Sequence, residues 1–515
     1  MNDTGNTPQK VHLMGICGTA MAALAGSLQA RGMRVTGSDS NVYPPMSDHL
    51  AALGIQFAAG YAPENIPPDT DLVVVGNVIS ESNPEAAEMR RRGLPFLSMA
   101  EAVKRFAIED RTCVAVVGTH GKTTTTSLAA HVLTGLGLDP GFLIGGIARN
   151  FGSNFRLGPG AVFVIEGDEY DTAYFDKTPK FFKYRPDIVI FTSCEFDHAD
   201  IYADLDAIKG QFGLLLESLP ADGLVIACAD DPNVVELLPR ASCPVLTYGF
   251  SAGAEIMLAG WRPLEGSGGE HRPAAEFSLA GEQWTVPMAG SYNALNAAAV
   301  IAMARELEKR GLAHKGLTAH SGASNTASPT GGGALQDALS SFLGVKRRQE
   351  VRGEAGGVMV MDDFAHHPTA VALTIAGIRK GYPGRRVWAV FEPRSFTART
   401  ARFQDDFGRA LAGAERVVLA RPFTSSYSEG QQYLDSEALA GTLRAQGVWA
   451  EAPGDTTAII TLLARHCRPG DIVLIMSNGG FDNIHQRLLE SLGANPGDVP
   501  AENRRETTDG AAADG

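Results

Sequence analysis

Cysteine is scarce in this 515-residue chain. The six residues, Cys17, Cys113, Cys194, Cys228, Cys243 and Cys467, lie far apart and form no C-x-x-C pair. That distribution excludes a disulfide framework and a cysteine zinc site, and it fits a reducing cytoplasm. Long apolar runs are also missing: none approaches the ~18–20 residues needed to cross a bilayer. The first ten residues, MNDTGNTPQK, are polar, so no secretory leader is expected. Positive charge is in deficit too. A formal net charge of −14 argues against a general nucleic-acid or anionic-membrane binder, so neither is expected as a partner. Any polyanionic substrate must then be held by local cations.

What remains is an ordinary globular composition, 44% apolar and 20% charged. At roughly 100–200 residues per domain the length suggests about three domains. Apolar strands alternate with helix-capable runs throughout, which implies an α/β fold with parallel sheets. The first block, 10–108, opens with "VHLMGI", a glycine turn and "TAMAALAGSLQARG", followed by "RVTGSD" and "DLVVVGN". The second, 109–345, contains "CVAVVG", "AVFVIEGDEYD", "DIVIFTSCEFDHADIY" and "GLVIACADD", with a Gly/Ser/Ala/Thr-rich insertion at about 313–333. The third, 346–489, carries "GVMVMDDF", "RRVWAVFEPRS", "ERVVLARP" and "GDIVLIMSNGG". Residues 490–515 lack apolar periodicity and read as a disordered tail.

The stretch "VAVVGTHGKTTTTSLAA", Val114 to Ala130, carries most chemistry. A phosphate loop is usually G-x-x-x-x-G-K-[ST], but here only Thr119 and His120 separate Gly118 from Gly121. The context is nonetheless right, a strand before and a helix after. Backbone N–H groups and a helix N-terminus would face phosphate oxygens, Lys122 would reach the terminal phosphates, and Thr123 would bind Mg²⁺. Acidic strand ends supply further oxygen ligands: Glu166, Asp168, Glu169 and Asp171 in "EGDEYD", then Glu195, Asp197, His198 and Asp200 in "EFDHAD". Solvated acidic loops are the bland alternative for several of these.

"GICGTAM" places Gly15 and Gly18 at a strand-to-helix turn with Asp39 beyond. Without G-x-G-x-x-G this is a weak signal for a nicotinamide cofactor, and a turn cradling another diphosphate serves as well. In the third block Asp362, Asp363, His366 and His367 sit where a strand gives way to a helix. Arg394 and Arg399 are fit to clamp carboxylates, although Arg399 and Arg402 equally suit a solvated helix face. Arg347 and Arg348, at the block junction, suit a cation that reaches ATP when domains close.

Taken in order, "GTHGKT", "EGDEYD", "EFDHAD", "GSYNALNAAAV", "KRRQE" and "DDFAHHPTA" resemble the Mur ligase family, over about residues 10–488. The resemblance implies a Rossmann-like N-terminal domain, a central ATPase domain of phosphate-loop type and a Rossmann-like C-terminal domain. It implies ATP and Mg²⁺ as cofactors and UDP-N-acetylmuramate as a partner. "DSNVYPPMSDHL", "DEYDTAYFDKTPKF", "EPRS" and "MSNGGFDNIH" further resemble the branch whose other substrate is the peptide L-Ala-γ-D-Glu-meso-diaminopimelate, in peptidoglycan recycling; ligation of free L-alanine is the runner-up.

Carried over residue by residue, Gly15, Cys17, Gly18, Thr19, Ala20 and Met21, with Asp39 and Asn77, would line the UDP-sugar site. Gly118, Thr119, His120, Gly121, Lys122, Thr123 and Thr124 would hold the ATP phosphates, and Asn293, Arg347 and Asp363 the rest of ATP. Thr123, Glu166 and His198 would surround Mg²⁺. Lys122 and His198 would act in catalysis together with His366 and Arg394, which would face the incoming peptide. Tyr292 departs from the family's usual G-x-H-N-x-x-N, and the carbamylated-lysine position of some members falls near Phe212, not Lys209. The implied chemistry is carboxylate activation as an acyl phosphate, then attack by the peptide amine. A monomer or weak dimer is expected. An oxidoreductase and a silent UDP-sugar sensor are the rivals from other classes.

Overall fold

The computed structural model describes residues 8–42, 46–264, 273–312, 332–423 and 432–493. Most of the Gly/Ser-rich insertion, residues 313–331, and the tail from 494 lie outside them. The chain divides into two compact units, Met1–Lys346 and Arg347–Gly515. Among the described residues no helix is long and apolar enough to cross a membrane.

The first unit holds two large sheets. The N-terminal one has five parallel strands, in the order Gln56–Ala59, Arg34–Asp39, Lys10–Met14, Leu72–Val75 and Phe96–Ser98. The chain leaves its first strand toward one edge and returns to the other side of that strand at Leu72–Val75. Ligands of open parallel sheets gather at the carboxyl ends of strands at such a reversal. Here those ends carry Gly15 and Asn77.

The second sheet is built around Thr112–Val117, flanked in parallel by Ile188–Phe191 and Val162–Glu166. Alternation divides the central strand between two cores. Val114 and Val116 face the helices Lys122–Gly135 and Ser291–Lys309, whereas Cys113, Ala115 and Val117 join Phe181, Phe191 and Phe212 on the other side. The sheet reaches ten strands through the antiparallel run Ile256–Leu264, Ala274–Leu279 and Glu282–Val286, which lies outside the apolar strands evident in the sequence. All six cysteines are free.

Among the described residues the second unit's sheet has six strands, in the order Glu350–Ala355, Val358–Asp363, Ile472–Met476, Val387–Phe391, Arg416–Ala420 and Trp449–Gly454. Only the first edge pair is antiparallel. Trp388, buried in a central strand, donates its indole N–H to Asp471 Oδ2 at 2.9 Å. The last helix among the described residues, Ile484–Gly493, runs beyond the expected boundary at 489, because Leu488 is buried and Leu489 and Leu492 pack on the same core.

One buried charge ties the N-terminal sheet together. Glu85 is fully buried and accepts from Ser38 Oγ at 2.5 Å, Asn65 Nδ2 at 2.7 Å and Ala62 N at 3.2 Å, with His12 Nε2 at 3.3 Å. Burial alone would raise its pKa, but the hydrogen bonds from His12, Ser38 and Asn65 outweigh that and hold it below the usual carboxylate value. A depressed folded-state pKa gives stabilisation that is full above the unfolded value of about 4.3 and is lost as pH falls through the folded one. Glu85→Gln should therefore cost about 2 kcal/mol at pH 7, with a smaller deficit at pH 4. Thermal unfolding by circular dichroism at the two pH values checks this; an equal deficit at both would show that the carboxylate's charge is irrelevant.

Candidate active site

The loop after Thr112–Val117 is shaped by two glycines in left-handed backbone, Gly118 at φ 124° and Gly121 at φ 81°. A Cβ on Gly118 would lie 2.5 Å from Thr192 Oγ1 and 2.6 Å from Ser193 O; one on Gly121 would lie 2.8 Å from Asn296 Oδ1. Only glycine fits that close approach. The segment after the neighbouring strand pins the loop. Thr192 Oγ1 donates to His120 O at 2.5 Å, His120 N donates to Ser193 Oγ at 2.8 Å, and Thr119 Oγ1 donates to Glu195 O at 3.1 Å. His120 Nε2 lies 3.0 Å from Glu195 Oε2. The helix Lys122–Gly135 starts at Gly121 with no side-chain cap, so its first N–H groups are presented to an anion. Thr123 and Thr124 sit in its first turn, both buried.

The lysine is held by acids. Lys122 Nζ donates to Glu169 Oε1 at 2.8 Å and to Gly118 O at 2.6 Å. His198 Nε2 meets the same Glu169 oxygen at 2.8 Å. Burial pulls the pKa of both cations down, yet Glu169 outweighs it in each case, so both are raised above their ordinary values. His198 sits at φ +55°, a conformation unusual for histidine and held here by its surroundings. Thr123 Oγ1 donates to Glu166 Oε1 at 3.0 Å, while Glu166 Oε2 accepts from Gly145 N at 2.6 Å. The other oxygen of Glu169, Oε2, is buried with no hydrogen-bond partner. An orphaned carboxylate oxygen on Glu169, and a threonine hydroxyl paired with the carboxylate of Glu166, are oxygen donors of the kind a hard divalent cation takes. Glu169, named in the sequence only as one acid of "EGDEYD", is thus the residue that joins Lys122 to His198. Asp200, by contrast, is exposed, and Asp171 pairs with Lys177 at 2.9 Å. Lys209 pairs with Glu236 at 2.7 Å.

Asn293 and Asn296 lie in the first turns of Ser291–Lys309, both buried. Asn293 Nδ2 donates to Ala289 O at 2.7 Å, and Asn296 Nδ2 donates to Asn293 Oδ1 at 3.2 Å. That leaves Asn296 Oδ1 against Gly121, so this pair buttresses the loop.

At the N-terminal sheet Gly15, at φ 80°, starts the turn, and Gly18 precedes the helix Thr19–Ala30 without a side-chain cap. Asp39 is buried and spends both oxygens on backbone, Oδ2 on Cys17 N at 2.9 Å and Oδ1 on Asn41 N at 2.8 Å. It therefore shapes the glycine turn. Thr19 is exposed, Ala20 half-buried and Met21 buried in the core. Asn77 is exposed beyond Leu72–Val75.

In the second unit, Arg347 stands at φ +61° and donates through Nη2 to Ser477 O at 2.6 Å and Gly479 O at 2.7 Å. Asp363 ends its strand buried, accepting from Gln349 N and Ala365 N, each at 2.8 Å; burial raises its pKa against the opposing charge of Arg348. His366 Nδ1 lies 2.9 Å from Phe364 O, so it carries the proton and leaves Nε2 as the basic nitrogen. Arg394 Nη1 lies 3.4 Å from Glu392 Oε1, with its guanidinium 4.2 Å from the Phe423 ring centroid. The helix-face reading fails for Arg399. It is buried in a turn between Phe396 and the carbonyl of Phe423, because the chain does not become helical until beyond Thr400. Arg402 is exposed.

Three family models match the chain in succession: "Mur ligase family, catalytic domain" over residues 10–111, "Mur ligase middle domain" over 116–304, and "Mur ligase, glutamate ligase domain" over 347–479. A UDP-N-acetylmuramate–L-alanyl-γ-D-glutamyl-meso-2,6-diaminoheptandioate ligase of Escherichia coli is 37% identical, covering 94% of this chain and 98% of its own. A UDP-N-acetylmuramate–L-alanine ligase of Paraburkholderia phytofirmans is 34% identical over 93% and 98%. Among solved structures, a murein peptide ligase from Psychrobacter arcticus superposes with a TM-score of 0.63 at 33% identity, covering 94% of this chain and 99% of that one. With the loop geometry, the three successive matches and full-length relatives in agreement, the chain belongs to the Mur ligase family.

Proposed function

We propose that this protein is an ATP-dependent ligase that joins L-alanyl-γ-D-glutamyl-meso-diaminopimelate to UDP-N-acetylmuramate. The observation that carries the ATP half is the cluster of Lys122, Glu169 and His198 around the glycine loop. The acceptor half rests on the likeness to the diaminoheptandioate ligases of Escherichia coli and Haemophilus influenzae, 37% and 35% identical. L-alanine ligases are 31–35% identical, which makes free L-alanine the second reading.

A carboxylate is a poor electrophile, so amide formation in water needs activation. In this reading the lactyl carboxylate of the UDP-sugar displaces ADP from the γ-phosphorus, giving an acyl phosphate. The peptide's α-amine then attacks the carbonyl carbon, and phosphate leaves with the bonding electron pair. Every reactant is anionic, so charge neutralisation dominates the barrier. Lys122 contributes a fixed positive charge at the loop, and the N–H groups of Lys122–Gly135 contribute oriented dipoles. Thr123, Glu166 and His198 would hold Mg²⁺, which supplies further neutralisation when bound. Glu169 keeps Lys122 aimed across the loop. The α-amine, with a pKa near ~8, must shed a proton, and Nε2 of His366 is the base assigned to it. Arg394 is assigned to a peptide carboxylate.

Lys122→Ala is expected to lower ADP formation at least a hundredfold while UDP-N-acetylmuramate still binds, by calorimetry. Loss of both in a folded variant would contradict separate sites for the two ligands. Phosphate release with ATP, Mg²⁺ and UDP-N-acetylmuramate should be strongly faster with the tripeptide than with L-alanine. A preference for L-alanine would replace the recycling assignment with the biosynthetic one.

A further inference from the structure

Between the two halves of the first unit lies a lysine that the reaction has not used. Lys180 is more than nine-tenths buried, and its Nζ lies 2.6 Å from Asp168 Oδ2. With the Asn77 amide oriented to satisfy its neighbours, its carbonyl accepts from the same Nζ at 2.6 Å, and its NH₂ donates to Thr172 O at 3.2 Å. One ammonium thus bridges the turn after Leu72–Val75, on the sugar side, to the loop that carries Glu166 and Glu169, on the nucleotide side.

The neighbouring chain reinforces the bridge. The hairpin of Asp171–Ala173 and Asp176–Pro179 leads into Lys180. Its tip reaches the N-terminal sheet, where Tyr174 Oη accepts from Arg90 Nη1 at 2.8 Å and the Phe175 ring meets Phe96 edge-on at 5.0 Å. Its base reaches the loop, where Lys180 N donates to Tyr170 O at 3.2 Å and the Tyr170 ring lies 4.2 Å from that of His198. His198 and Lys122 share Glu169. A continuous set of contacts therefore runs from Asn77 through Lys180, Asp168 and the acidic loop to the phosphate-loop lysine.

A buried ammonium is costly unless its donors are spent on fixed acceptors. Here two of its three N–H groups are spent on residues from the two halves of the first unit, Asn77 and Asp168. Moving either side alone would strand the charge, so the sides move together or not at all. We propose that Lys180 is a positioning residue that couples occupancy of the UDP-sugar turn to occupancy of the ATP loop, which rests on the function proposed above. Its role is to register the sugar's carboxylate against the nucleotide, without touching either.

The test is calorimetry of UDP-N-acetylmuramate on the full chain, with and without a saturating non-hydrolysable ATP analogue and Mg²⁺. The ratio of the two Kd values measures coupling, and direct contact losses cancel from it. The wild type should show a ratio of about five to tenfold, Lys180→Met a ratio near one, and Lys180→Arg a partial recovery. Asp168→Asn, which severs the other end of the bridge, should lower the ratio as well and serves if Lys180→Met does not fold. A folded Lys180→Met or Asp168→Asn with the wild-type ratio, or a wild type with a ratio of one, would overturn the coupling. A wild type that binds no UDP-sugar would instead overturn the assigned function, and the coupling with it.

Discussion

The charge relay through Glu169 is the constraint on which the rest of the site depends. A lysine amine and a histidine ring each meet one oxygen of a nearly buried carboxylate at 2.8 Å. Without Glu169 the lysine ammonium would lie buried without its carboxylate partner. With it, lysine and histidine are both held above their ordinary pKa values despite burial. The orphaned second oxygen shows that the acid is not saturated by protein partners. Such a group costs stability, and costs of this kind persist where a ligand makes them good.

Two sheets supply this arrangement by the same geometric rule. In each, the active loops lie at the carboxyl ends of strands next to the point where the chain reverses direction across the sheet. The phosphate loop leaves the central strand Thr112–Val117, and Glu166 ends the adjacent strand. The glycine turn leaves Lys10–Met14, and Asn77 follows the adjacent Leu72–Val75. Tight backbone approach at both places explains the glycines. Gly118 abuts Thr192 and Ser193, while a Cβ on Gly76 would lie 2.7 Å from Met14 O. The hairpin and Lys180 then span the gap between the sheets, which makes the first unit more than two sheets in series.

The second unit uses its strand ends differently. Asp363 spends its carboxylate on backbone N–H groups, and Arg347 spends its guanidinium on backbone carbonyls. These are fixtures of the turns that present His366 and Arg394. Arg399, buried beside the Phe396 ring, shows how far a charged side chain can be drawn inward where a chain turns and does not spiral.

Local pattern by itself determined a large part of this protein. Apolar runs of four to six residues mark the parallel strands because both faces of such strands are buried. Glycine spacing marks the phosphate loop because only glycine tolerates its backbone. Acids at strand ends mark the neighbourhood of the phosphate loop's lysine. Antiparallel strands such as Ile256–Leu264 escaped because the strand is mostly exposed, with Leu258 alone fully buried, and resembles loop composition. Tertiary structure alone decided which acid does what. In "EGDEYD" Glu166 meets Thr123, Asp168 meets Lys180, Glu169 meets Lys122 and His198, and Asp171 pairs with Lys177. Those assignments depend on directions in space set by a sheet, a helix start and a hairpin together, and no spacing along one chain encodes them.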